Sequence, residues 1–101
     1  MEATLTEVIN LGNNVQKVYS LVPPFTYNTS KIENVILWYN LEERSVEIVN
    51  YDTDDVLEKI DLSLYEEEVP DVVLDRKILI EFLHLKTIKI YKETDDYSDL
   101  L

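Results

Sequence analysis

The chain has 101 residues, of which 21 are Asp or Glu and 9 are Lys or Arg, so its formal net charge is −12. This length fits one domain, and a hydrophobic fraction of 46% is too high for a disordered acidic tail. The absence of cysteine excludes a disulfide framework and a thiolate metal site. Because phosphate contacts need clustered Lys and Arg, we expect no direct nucleic-acid binding.

The N-terminal segment, residues 4–22, supports two interpretations that stay open. Apolar residues recur at helical spacing at Val8, Leu11, Val15, Val18 and Val22. Thr4 and Glu7 have the spacing of a capping box, and Pro23 would stop such a helix. However, the segment is rich in β-branched residues, and the triplet Gly12-Asn13-Asn14 is typical of a hairpin turn.

The middle of the chain predicts a loop followed by an antiparallel meander. Residues 23–30 contain Pro-Pro and Asn-Thr-Ser, which favour a loop. Three strands are then predicted at residues 34–40, 44–51 and 56–65, because apolar and polar residues alternate between turn-forming segments. The meander therefore covers about residues 34–65.

The last third predicts one helix and one strand. Pro70 and Asp71 suit the beginning of a helix over residues 70–85, and His84 suits its end. A strand over residues 77–85 is the alternative, because short apolar runs do not discriminate by period. Residues 87–92 alternate as a strand, and residues 94–101 are expected to be an acidic tail. The sequence thus predicts an α+β fold in a single domain, residues 1–93.

Residue types for catalysis and metal binding are scarce. A Ser/His/Asp triad would have to use His84, the only histidine, which is embedded in an apolar stretch. Residues 52–55 begin like a calcium loop, but Val56 and Leu57 stand where the template needs a ligand and a glycine. Gly12 is the only glycine, which excludes a glycine-rich phosphate loop. We therefore predict no catalytic residues, no metal site and no cofactor.

The carboxylates are unevenly distributed, and this is the feature with functional consequences. Twelve of them fall within residues 42–71, where Arg44 and Lys59 are the only cations. Such a field would steer a basic partner towards the meander. The acidic residues predicted to bind this partner are Glu42, Glu43, Glu47, Asp52, Asp54 and Asp55. The alternative is that this acidic surface serves only solubility.

Aromatic residues supply a second candidate surface. The chain has seven tyrosines and one tryptophan, some of which are expected to close the core with their hydroxyls at its edge. Tyr and Trp are also enriched among the residues that dominate binding energy. We predict Trp38, Tyr39 and Tyr51, in or next to the meander, as partner-binding residues.

The chain is short, lacks Cys, has little Gly and is rich in Ile, Tyr, Asp and Glu. In this composition it is similar to small proteins encoded by phages and archaeal viruses. Several of those are acidic inhibitors, including anti-CRISPR and anti-restriction proteins that mimic nucleic acid. The resemblance implies a stoichiometric inhibitor that presents its carboxylates to a basic groove. Antitoxins and nuclease-immunity proteins belong to the same functional class.

These features give two functional expectations, neither of them enzymatic. The first is a protein-binding module that inhibits a nucleic-acid-handling protein. The second is a structural or assembly protein that forms a homodimer or larger oligomer by strand pairing. Residues 1–4 lack a basic region and no 18-residue apolar run occurs, so we expect no signal peptide and no membrane contact. The expected location is the cytoplasm, that of the host cell if the protein is viral.

Overall fold

A computed structural model describes residues 1–66 and 70–93. Within them the chain forms six strands, a 3₁₀ turn and one α-helix, so the predicted α+β class is confirmed. The elements are β1 (Glu2–Leu11), β2 (Asn14–Tyr27), β3 (Ser30–Asn40), β4 (Ser45–Asn50), β5 (Val56–Asp61), the 3₁₀ turn (Leu62–Leu64), α1 (Val72–Leu83) and β6 (Lys89–Lys92). The predicted acidic tail at residues 94–101 lies outside the described residues, as do Glu67 and Glu68.

All six strands form one sheet, in the order β5-β4-β3-β2-β1-β6. Neighbours are antiparallel except β6, which runs parallel to β1. The N-terminal segment is a hairpin and not a helix, because Gly12 at φ +76° starts a tight turn between Leu11 and Asn14. The predicted meander corresponds to β3, β4 and β5.

The loop predicted over residues 23–30 is wrong. β2 continues to Tyr27 and β3 begins at Ser30, so only Asn28 and Thr29 form the turn, both with positive φ. The prolines are accommodated because the β2–β3 register is irregular between Ser20 and Phe25. A proline has no N–H to give to the ladder, and an irregular segment does not require one.

The predicted third strand is correct only as far as Asp61. There the Asp61 side chain accepts a hydrogen bond of 2.9 Å from the backbone N–H of Ser63, which closes the 3₁₀ turn in place of further strand. Short polar side chains compete with ladder pairing in this way. The backbone N–H of Leu62 still bonds to the Arg44 carbonyl at 2.9 Å, so the turn stays attached to β4.

The predicted helix is confirmed with shorter bounds, and the alternative strand over residues 77–85 is wrong. Asp71 is the N-cap, because its side chain accepts a hydrogen bond from the Leu74 N–H at 3.1 Å. His84 ends the helix in the left-handed conformation, with φ +55°. No helix among the described residues is long and apolar enough to cross a membrane.

The helix covers one face of the sheet. Alternate residues of the strands point towards it, and the helix buries Leu74, Ile78, Leu79, Phe82 and Leu83 against them. The opposite face, called here the open face, has no helix or further strand on it within residues 1–66 and 70–93. A small cluster of Val18, Ile36 and Val49 is buried on the open face by its in-sheet neighbours.

The β2–β3 turn generates a stability prediction. Thr29 adopts φ +69°, a conformation that is costly for a β-branched residue and free for glycine. We expect Thr29→Gly to raise the free energy of unfolding by about 0.5–1 kcal/mol. Urea denaturation measures this change. Thr26→Gly, inside β2, is the matched control and should lower stability by up to about 1 kcal/mol; equal effects of both variants would contradict the explanation.

Candidate functional site

The residues predicted to bind a partner divide into two groups at opposite ends of β4. Trp38, Tyr39, Glu42, Glu43 and Glu47 belong to the β3–β4 hairpin, whereas Tyr51, Asp52, Asp54 and Asp55 lie in the turn between β4 and β5. β4 has six residues, so these ends are about 20 Å apart. The nine residues therefore do not form one continuous patch.

The acidic turn between β4 and β5 is held together by its own polar groups. The Asp55 carboxylate accepts a hydrogen bond from the Thr53 hydroxyl at 3.0 Å, and the Asn50 side chain accepts one from the Asp52 N–H at 3.0 Å. Asp54 has φ +62°, a conformation that Asp tolerates better than most residues. These residue types thus have a local structural role in the turn.

Trp38 lies on the open face and is 37% exposed. Its indole N–H donates a hydrogen bond of 3.1 Å to the Asn14 side chain on β2, which fixes the ring. Glu47 is its cross-strand neighbour on β4, and Glu47 in turn pairs with Lys59 on β5. The Lys59 ammonium is 3.6 Å from the Glu43 carboxylate. These five residues line a shallow depression and are called the Trp38 surface.

Of the other two predicted aromatic contacts, one is available to a partner and one is not. Tyr51 is 46% exposed at the far end of β4, whereas Tyr39 is 0% exposed. Tyr39 is wrong as a surface contact because its side chain points towards the helix. Its hydroxyl donates a hydrogen bond of 2.5 Å to Asp75, inside the core.

Asp75 is the centre of a buried polar cluster between the sheet and the helix. It is fully buried on α1, and Lys17 on β2 lies 2.9 Å from its Oδ2 atom. The hydroxyl of Tyr19 donates to the same oxygen at 2.6 Å, while Tyr39 donates to Oδ1. The Lys17 ammonium also donates to the backbone carbonyl of Pro70, just before the helix. Asp75, Lys17, Tyr19 and Tyr39 are called the Asp75 cluster.

Burial shifts the protonation equilibria of this cluster. Removal from water raises the pKa of Asp75, while the Lys17 charge and the tyrosine hydrogen bonds oppose the rise. Burial likewise raises the pKa of Tyr39 well above its ordinary value, and the adjacent Asp75 charge adds to this. The hydroxyl of Tyr39 is therefore a hydrogen-bond donor throughout the neutral range.

The Asp75 cluster was not predicted, although the sequence carries a signal for it. Asp75 falls on the apolar stripe of the helix with Leu74, Ile78 and Leu79, and Lys17 falls between Val15 and Tyr19 in the buried alternation of β2. One acid and one base, each on an otherwise apolar face, indicate a buried pair. Among the described residues, no group of three or more His, Cys, Asp or Glu is placed to hold a metal ion.

The Asp75 cluster generates a double-mutant prediction. Lys17→Met leaves a buried carboxylate without its counter-charge, which should lower the free energy of unfolding by about 3–5 kcal/mol. Adding Asp75→Asn removes that charge while keeping an acceptor for the tyrosines, so it should restore about 2 kcal/mol or more. In the native background, Asp75→Asn should instead destabilise the protein. Urea unfolding of the four proteins measures the coupling, and additive effects would contradict the ion pair.

Comparison with protein-family models, curated proteins and solved structures finds no match to this chain. No residue role is therefore transferred from a relative. The candidate site is defined by this chain's own burial, contacts and charge, and it has two parts: the Trp38 surface on the open face and the Asp75 cluster beneath the helix.

Proposed function

We propose that the protein is an acidic binding module that engages a basic protein partner through the Trp38 surface. The observation that carries this proposal is a tryptophan on the open face that is held by a hydrogen bond and shares a shallow depression with the carboxylates of Glu43 and Glu47. Tryptophan contributes large apolar area at low entropic cost and is enriched among dominant interface residues. A side chain already fixed in place loses less freedom on binding.

The charge of this end of the sheet supports a basic partner. Four carboxylates and two cations lie at this end, on β4, on β5 and in the turn between β3 and β4. The carboxylates are Glu42, Glu43, Glu47 and Asp61, and the cations are Arg44 and Lys59. The net charge of −12 extends the attraction beyond the contact itself. Such a field mainly accelerates association and selects partners of opposite charge.

The partner class that we propose is a nucleic-acid-handling protein, with this chain as its stoichiometric inhibitor. A groove that accepts phosphates has the positive charge and the donors that carboxylates can satisfy. An inhibitor of the anti-defence type and one of the antitoxin or immunity type would present the same acidic surface to such a groove.

Charge reversal at each end of β4 tests the proposed surface. Glu43→Lys with Glu47→Lys should weaken binding to the captured partner by at least about tenfold at low salt. Asp52→Lys with Asp54→Lys makes the same change in net charge at the far end and is the matched control. We expect it to have a much smaller effect, because those residues are about 20 Å away.

The measurement is titration of a partner purified by capture from source-cell lysate, at low and high salt. Equal loss of affinity in both double variants would overturn the Trp38 surface and leave only a general charge effect. Trp38→Ala should cost about thirtyfold if the ring is an anchor. Duplex DNA should compete for the same groove; a partner that binds DNA and this chain together would contradict inhibition by mimicry alone.

The alternative function, a homo-oligomer formed by strand pairing, is favoured by one observation. Within residues 1–66 and 70–93, β6 lies at an edge of the sheet with β1 as its strand partner, and an edge strand can pair with a second copy of the chain. β6 is only four residues long and has a lysine at each end. Its shortness and its lysines both oppose such pairing.

Light scattering separates the two functions. An oligomer built by strand pairing should keep its mass at high salt, and Ile90→Pro should reduce it to a monomer by removing a backbone donor. The acidic binding module is expected to be monomeric without its partner. A salt-resistant dimer that this substitution dissociates would favour the assembly function.

A further inference from the structure

A cavity opens on the helix side of the sheet, opposite to the Trp38 surface. It lies between the N-terminal end of α1 and strands β1 and β2, and its volume is about 490 Å³. The part of the chain that the structure describes has one α-helix for a six-stranded sheet, and this helix leaves the second half of β1 partly uncovered. Val8, on that half, is 38% exposed although its side chain is on the helix side. Cavities that hold small ligands have volumes of about 300–1,000 Å³.

The walls of this cavity are mainly apolar. Leu5 and Val8 line it from β1, Val15 from β2 and Val72 from the first turn of the helix. Its polar groups include Lys17 and Asp75, which are already bonded to one another at 2.9 Å. A mostly apolar pocket with a few fixed polar groups is typical of a small-molecule site.

The charges around the cavity balance. Lys17 and Lys92 line it together with Asp71 and Asp75. Both carboxylates are occupied, since Asp71 accepts the helix N–H of Leu74 and Asp75 accepts three hydrogen bonds from its cluster. A charged ligand would lose its hydration here without gaining an unmatched counter-charge. An uncharged ligand does not incur that cost.

The Lys17 ammonium in the lining is already engaged by the protein. Asp75 and the Pro70 carbonyl accept hydrogen bonds from it, and it lies 6.0 Å from the centre of the Tyr39 ring. It therefore offers no unmatched charge to a ligand. We propose that this cavity binds an uncharged, mainly apolar small molecule. This site is separate from the proposed protein-binding surface, so either proposal can fail alone.

Two fluorescent probes that share one skeleton test the ligand class. N-Phenylnaphthylamine is uncharged and brightens in apolar sites, while anilinonaphthalene sulfonate is the same molecule with an added anionic group. We expect the uncharged probe to saturate at one molecule per chain, and the sulfonate to bind at least about tenfold more weakly. Equal or tighter binding of the sulfonate, or no saturable binding of the uncharged probe, would overturn the proposal.

Two adjacent tryptophan substitutions test the location. Val8→Trp places an indole at the cavity, so it should weaken binding of the uncharged probe at least about tenfold. Ile9→Trp is the matched control: it puts the same side chain one residue further along β1, on the open face, and should leave binding unchanged. Circular dichroism confirms that each variant is folded. Equal effects of the two substitutions, or an unaffected Val8→Trp, would place the probe elsewhere and overturn the assignment.

Discussion

The contact between helix and sheet depends on one buried carboxylate. Asp75 is fully buried and accepts hydrogen bonds from Lys17, Tyr19 and Tyr39, which come from two adjacent strands. Apolar packing alone would tolerate sliding of the helix along the sheet, whereas three directional bonds to one carboxylate fix the helix in a single position. The Lys17 bond to the Pro70 carbonyl extends this constraint to the residue that leads into the helix.

Most of the fold follows from local sequence patterns. Several features depend only on residues that are close in sequence, so they are predictable. They are the alternation in β3–β5, the capping residue Asp71 and the strand near the C-terminus. For residues 4–22 the sequence does not distinguish a hairpin from a helix, because the valines fit both the helical and the strand period. The positive φ of Gly12, which forms the turn, decides for the hairpin. The prediction of a loop at the two prolines is wrong because the strand continues through them with an irregular register, and that register depends on the partner strand β3.

The candidate site was less predictable than the fold. Trp38 and its neighbouring glutamates were identified because residue type alone suggests an interface. The prediction of Tyr39 as a partner contact is wrong. Tyr39 follows Trp38 in the same strand, so the two rings point to opposite faces of the sheet, and the sequence does not say which face the helix covers. In the Asp75 cluster, Asp75 is separated along the chain from Lys17 by 58 positions and from Tyr19 by 56 positions. At such separations a single sequence carries no information about which residues pair.

The strand order has a consequence for how this sheet assembles. β1 to β5 pair in chain order, so each contact needs only the closure of a short turn. β6 instead pairs with β1, at the opposite end of the described chain, and this step must follow the placement of the helix that lies between β5 and β6. Four residues of parallel pairing then close the fold. We expect this strand to form last during folding and to exchange its amide hydrogens first in the native state, which makes the β1–β6 edge the least protected part of the sheet.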